Sequence, residues 1–169
     1  EQPDLKSVFT LTVKAPKGWK VFSNAPTPSP EEEGDAWIYR FATTEKMSTY
    51  ITAIVAGPYE GTTASLTSSD GRTIDLGVYA RASIIEHLDA DEIIEITRQG
   101  FEFFEGAYGI AYPFTKYDQI FVPEYNAGAM ENAGCVTFRD AYVFRTRPTE
   151  AQMEARANTI LHELAHMWF

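Results

Sequence analysis

A chain of 169 residues, 44% hydrophobic and 14% aromatic, has ample apolar material for one sizeable packed domain or two small ones. Its net charge of −10 opposes binding to nucleic acid or to an anionic membrane surface, and no apolar run approaches the ~20 residues of a membrane span. A single cysteine, Cys135, rules out an internal disulfide framework, and with no signal-like segment at the start of the chain a cytoplasmic location is expected.

Taken in order, the first stretch alternates Phe9, Leu11 and Val13 with Thr10 and Thr12, the period of a half-buried strand. Residues 19–22, 37–41 and 50–55 read as further strands, with an exposed loop at 24–33 marked by Pro26, Pro28 and Pro30. Residues 1–60 are therefore expected to be all-β and antiparallel, with their tryptophans and tyrosines serving as packing. Gly57-Pro58, Gly61 and Ser68-Ser69-Asp70-Gly71 form a polar, turn-rich band, and the change of domain is placed there, between 1–60 and 61–169.

After this band the pattern mixes strands and helices, which makes the fold class α+β. Ile74, Leu76, Val78 and Ala80 alternate along a strand. Asp89 with Glu92 three residues on predicts a capped helix with apolar positions at Ile93, Ile96, Gly100, Phe103 or Phe104 and Ala107, ended by Gly106 and Gly109. His87, beside that cap, reads as a surface or capping residue. Residues 119–122, 135–138 and 142–144 read as short strands, and Cys135, inside the second, as a buried strand residue and not a nucleophile. The segment 123–134 between the first two is a loop. It holds Glu131 among small neutral residues, so this carboxylate is either exposed and idle or placed to meet a cation.

The final helix carries the clearest chemistry. Pro148 precedes Thr149, which forms a capping box with Gln152, and the helix is expected to run to the end of the chain. At about 100° per residue, Ala157, Ile160, Leu161, Leu164, Ala165 and Trp168 share a broad apolar arc, and His162 and His166 fall on the opposite side. His162-Glu163-Leu164-Ala165-His166 reads H-E-x-x-H, which sets two imidazoles side by side at the spacing of a zinc site. Glu163 lies too far round the helix to be a third ligand and is placed as a general base.

Gly128-Ala129-Met130-Glu131-Asn132, followed about thirty residues on by H-E-x-x-H, resembles the aminopeptidase N family of zinc exopeptidases. G-A-M-E-N is specific to that family, whereas H-E-x-x-H is shared by many zinc peptidases. Residues 1–6 resemble its F-D-x-P-D-x-K segment, Val55-Ala56-Gly57-Pro58-Tyr59 the end of its N-terminal β domain, and Tyr112-Pro113-Phe114-x-Lys116-Tyr117-Asp118 the approach to its exopeptidase loop. The wording is closest to bacterial, especially actinobacterial, members. The resemblance implies the end of an N-terminal β domain followed by the first half of a thermolysin-like catalytic domain.

By the same resemblance, His162 and His166 are zinc ligands, Glu163 is the base that activates water, and Glu131 anchors the substrate's free α-amine. Gly128 and Ala129 lie along the substrate backbone, and Ala127 lines the pocket for the first side chain. The third zinc ligand, a glutamate, lies beyond Phe169, as does the tyrosine that steadies the tetrahedral intermediate. An acidic or amide residue upstream of Glu1 shares the α-amine.

The expected partners are peptides with a free, neutral or basic N-terminal residue, together with the remainder of a larger protein, since neither end carries a start or stop signal. Self-association through Leu161, Leu164 and Trp168, left uncovered, is also expected. Two other readings of the residues stay open: a zinc endopeptidase in which Glu131 is an ordinary loop carboxylate, and a β-rich binding module with an incomplete metal site.

Overall fold

The computed structural model describes residues 2–169; Glu1, the first residue of the family-like 1–6 segment, lies outside the described residues. The first third of the chain is a set of short antiparallel pairings, as its alternating pattern predicts. Strands β1 (Lys6–Ser7), β2 (Thr12–Pro16), β3 (Lys20–Ser23), β4 (Glu31–Glu33), β5 (Ala36–Arg40), β6 (Met47–Ser48) and β7 (Ile54–Gly57) pair as β1 with β6, β2 with β5, β5 with β4, and β3 with β7. Ala15, Val21, Ala25, Tyr39 and Phe41 form their core.

Three boundaries differ from the sequence reading. The exposed loop read at 24–33 begins with the buried Asn24 and Ala25 and ends in strand β4, Glu31–Glu33. The first alternating stretch enters a regular strand only at Thr12, although the carbonyls of Phe9 and Leu11 already accept bonds from Thr44 and Phe41. The stretch 50–55 is split. Thr49–Ile51 is a 3-10 turn and only Ile54–Gly57 is strand, so Tyr50 is held on a turn.

The second body is a five-stranded mixed sheet. It contains β8 (Tyr59–Thr67), β9 (Thr73–Arg81), β10 (Lys116–Val122), β11 (Ala129–Met130) and β12 (Cys135–Arg139) in the order β11-β12-β10-β9-β8. The pairs β9·β10 and β10·β12 are parallel, and the two outer pairs are antiparallel. The band at 57–71 is thus not a run of turns: most of it is β8, and only the 68–72 end turns. Gly61 explains the misreading, because a Cβ there would sit 2.1 Å from the Val78 carbonyl oxygen and 2.5 Å from the Tyr79 ring. It is a close-approach glycine inside a strand.

Helix α1 (Ala90–Tyr108) makes the crossover from β9 to β10 and ends at Gly109, whose φ of 64° is the left-handed conformation of a helix stop. Asp89 stands at its N-cap position, but its side chain caps nothing; the carboxylate pairs instead with Arg156 at 2.9 Å. Along the helix Ile93, Ile94, Gly100 and Phe101 are buried and Phe104 packs against the core, while Phe103 and Ala107, also read as apolar-face positions, face solvent. Between β12 and the last helix, residues 142–144 form no strand. Tyr142 closes a 3-10 turn (Asp140–Tyr142), and the Phe144 ring lies under the Arg156 guanidinium, 4.5 Å from it.

Helix α2 (Glu150–Ala165) begins at the predicted capping box: the Thr149 hydroxyl accepts from the Gln152 N–H, and the Gln152 side chain accepts from the Thr149 N–H. Replacing Thr149 by alanine should lower stability by about 1 kcal/mol, read as a shift in the urea midpoint with unchanged slope. The α2 apolar face packs on α1 where Gly100 lets Leu161 and Leu164 approach; a Cβ at Gly100 would be 2.7 Å from both side chains.

This packing overturns the expectation that Leu161, Leu164 and Trp168 are left uncovered. Leu164 is fully buried, Leu161 rests on α1, and the Trp168 indole donates to the Ile110 carbonyl at 2.9 Å among Phe101, Phe104 and Tyr112. Beyond Ala165 the helix tightens into a 3-10 turn, His166–Trp168.

Candidate active site

The last turn of α2 and the 3-10 turn that continues it present His162 and His166 together. Their Nε2 atoms are 3.2 Å apart, with ring centroids separated by 4.8 Å at an interplanar angle of 80°. A four-coordinate metal with bonds of ~2.0–2.1 Å holds neighbouring ligand atoms about 3.3–3.4 Å apart, so this pair is already spaced to chelate one ion. His162 is exposed and His166 half-buried.

Glu163 is 5% exposed, and one of its carboxylate oxygens lies within 4.8 Å of a His166 ring nitrogen. One of its oxygens, Oε2, is buried with no hydrogen-bond partner. Burial, with a further contribution from the Glu131 carboxylate, pushes its pKa up from 4.5 to about 7. A buried carboxylate oxygen without a partner, near two imidazoles at the spacing of a chelating pair, is an arrangement able to carry a proton next to a bound metal ion.

Glu131 arrives from the sheet. Part of the segment read as a loop is the edge strand β11, with Ala129 opposite Phe138 and Met130 opposite Thr137, and the Arg139 N–H donates to the Gly128 carbonyl at 3.0 Å. This pairing delivers Glu131 to the histidine helix, where ligand atoms of Glu131, Glu163 and His166 lie within 4.8 Å of one another. His162 stands outside that set. Ala127 and Gly128 are exposed and Ala129 half-buried, and β11 is at the end of the strand order, so a peptide could add to its outer edge.

Sequence reasoning missed Tyr50. Its hydroxyl donates to Glu131 Oε1 at 3.1 Å across a separation of 81 residues. It also missed Asn24, whose amide donates to the Ala133 carbonyl at 2.9 Å. No local pattern could have marked either.

The residues set aside as bystanders stay outside the site. His87 faces Glu86 at 3.6 Å and joins no metal-holding group among the described residues. Cys135 is fully buried, and burial pushes its thiol up to about 11, which removes it as a nucleophile at neutral pH. A cavity of about 800 Å³, lined by Trp37, Tyr79, Lys116 and Asp118 among others, touches none of the site residues.

The family description "Peptidase M1 N-terminal domain" matches residues 1–51, and "Peptidase family M1 domain" matches residues 92–169. The chain is 57% identical over 169 residues to aminopeptidase N of Streptomyces lividans, covering all of this chain and 19% of the relative. It is 35% identical over 177 residues to aminopeptidase N of Homo sapiens, covering all of this chain and 18% of the relative. It is 36% identical over 170 residues to tricorn protease-interacting factor F2 of Thermoplasma acidophilum, covering all of this chain and 20% of the relative. The chain thus spans about a fifth of the length of these relatives.

Proposed function

Because the chain belongs to the peptidase M1 family, we propose that it supplies part of the active site of a zinc aminopeptidase, one that removes a neutral or basic N-terminal residue from peptides. In this reading 1–60 is the end of an N-terminal β domain and 61–169 the first part of a thermolysin-like catalytic domain. The start of the five-stranded sheet at Tyr59 supports that division.

The single observation that carries the exopeptidase reading is the closeness of Glu131 to Glu163 and His166, within 4.8 Å. An extended peptide advances about 3.3–3.6 Å per residue. A substrate ammonium on Glu131 therefore brings the first peptide bond, and not a later one, to Glu163.

The histidine pair fits a metal, and His162 and His166, with a glutamate from beyond Phe169, would hold zinc. When bound, zinc supplies Lewis-acid polarisation of the scissile carbonyl and acidifies water. The chain's own residues do the rest. Glu163 takes a proton from the attacking water and returns it to the leaving amine, a task suited to a carboxyl held up to about 7. Glu131 fixes the N-terminus by charge, and the outer edge of β11 at Gly128 and Ala129 aligns the peptide backbone, with Ala127 beside the first side chain.

Among the described residues no helix is long and apolar enough to cross a membrane. The lone, buried Cys135 supports a reducing, cytoplasmic setting. Self-association of the isolated chain would use the exposed Phe103, Ile110 and Phe169 in place of the covered α2 face.

The test is a matched pair of peptides, one with a free and one with an acetylated N-terminus, offered to the full-length enzyme. Cleavage of the free peptide alone is expected. Equal cleavage of both would make the protein an endopeptidase, and cleavage of neither would leave the binding-module reading.

A further inference from the structure

We infer that Tyr50, carried to the active site by the β-rich N-terminal region, is the positioning residue that sets the Glu131 carboxylate for the substrate's α-amine. The inference rests on the amine-anchor reading of Glu131 given above.

Glu131 follows the two-residue strand β11, and nothing in its local sequence fixes its side chain. The Tyr50 hydroxyl does so, donating to Oε1 at 3.1 Å and leaving the other oxygen to meet an ammonium. Burial, the bond to Glu131 and the charge of Glu131 all push the Tyr50 pKa up, so the phenol keeps its proton and acts as the donor. The carboxylate needs such a tether, because Glu163 stands within 4.8 Å and like charges at that distance repel.

The contact is built into the fold by a second, independent set of bonds. The buried Asn24 donates through Nδ2 to the carbonyl of Ile51, which neighbours Tyr50, and to the carbonyl of Ala133, two residues beyond Glu131, both at 2.9 Å. Its Oδ1 accepts from the Ala53 N–H at 3.0 Å. One amide therefore clamps the turn carrying Tyr50 to the segment carrying Glu131. Beneath it the buried Lys116 of the sheet donates to the Ser23 carbonyl at 2.6 Å and pairs with Asp118 at 2.8 Å, so the two bodies are joined next to this clamp. The N-terminal region thus contributes to register at the amine site as well as to packing.

The experiment uses the full-length enzyme and two competitive probes, an amino-acid hydroxamate and the same hydroxamate lacking its α-amine. Tyr50 is 37% exposed, so Tyr50→Phe removes only a hydroxyl, and an unchanged melting temperature will show that the fold is kept. Losing a donor to a charged acceptor should weaken the amine-bearing probe about tenfold and raise KM for a free-amine substrate by a similar factor. The amine-lacking probe and kcat should change by less than about twofold.

Glu131→Gln should remove the preference for the amine-bearing probe, and adding Tyr50→Phe to it should cost nothing further. If Glu131→Gln leaves that preference intact, the amine-anchor reading itself falls. If Glu131→Gln removes it while Tyr50→Phe does not weaken it, Tyr50 alone is overturned. Equal weakening of both probes by Tyr50→Phe, or a fall in kcat with KM unchanged, would also overturn the assignment.

Discussion

Glu163→Gln in the full-length enzyme should lower kcat by about 10²–10⁴ while leaving metal content unchanged. The first part follows from the loss of the proton carrier. The second follows from the histidine pair, whose Nε2 atoms already stand 3.2 Å apart without help from Glu163. Activity assays and metal analysis of the purified variant check the two halves, and loss of metal would make Glu163 a ligand instead of a base.

Stability should move in the opposite sense. The native carboxyl, held up to about 7 from 4.5, keeps its proton after the unfolded chain has lost it. The metal-free protein therefore loses stability as pH rises from about 4.5 to 7, by about 1–3 kcal/mol, and gains none back above that window. Glutamine does not titrate, so the metal-free variant should unfold later than the parent at pH 8 and show no such advantage at pH 4.

How much of this was legible depends on how local each cause is. Thr149 and Gln152 satisfy each other within one helical turn, and the box read from sequence is the box that forms. Asp89 and Glu92 show the same spacing. Their carboxylates go instead to Arg156, 67 and 64 residues away, because a buried guanidinium outbids a backbone N–H that water can also satisfy.

Gly61 looked like a turn because glycine is the usual turn residue, yet its reason is a strand opposite with no room for a Cβ. Tyr142 and Phe144 looked like a strand because aromatic residues favour one, and were claimed by Thr159 and Arg156. At the site, His162, Glu163 and His166 were legible from one helix. Glu131 had an ambiguous loop reading until a resemblance gave it a role. Tyr50 and Asn24 are invisible to any windowed pattern, since only the folded chain brings them to residues 131 and 133.

Arg156 is where the largest loss of stability is expected. It is 1% exposed, and it pairs with Asp89 through Nη1 and with Glu92 through Nη2, both at 2.9 Å, while Nη1 also donates to the Tyr142 carbonyl at 3.2 Å. It thus joins the start of α1, the middle of α2 and the turn before α2. Its Nε is buried without a partner, so even the native arrangement carries an unmet polar group.

The two sides of the network should not cost the same to break. The carboxylates are 47% and 38% exposed, and water can take over much of their solvation when the guanidinium goes. Arg156→Met, which keeps most of the volume, should therefore cost about 2–3 kcal/mol. Removing both acids with Asp89→Ala and Glu92→Ala leaves the cation of a 1% exposed side chain with no counter-charge and only the Tyr142 carbonyl as a partner, for a loss of about 3–5 kcal/mol.

Adding Arg156→Met to the acid-deleted protein should then recover stability, because the stranded charge is gone. Urea denaturation of the four proteins closes the cycle. Recovery in the triple variant would show that an uncompensated buried charge is what makes the acid deletion costly, and a further loss would show that Arg156 acts mainly through packing on Phe144.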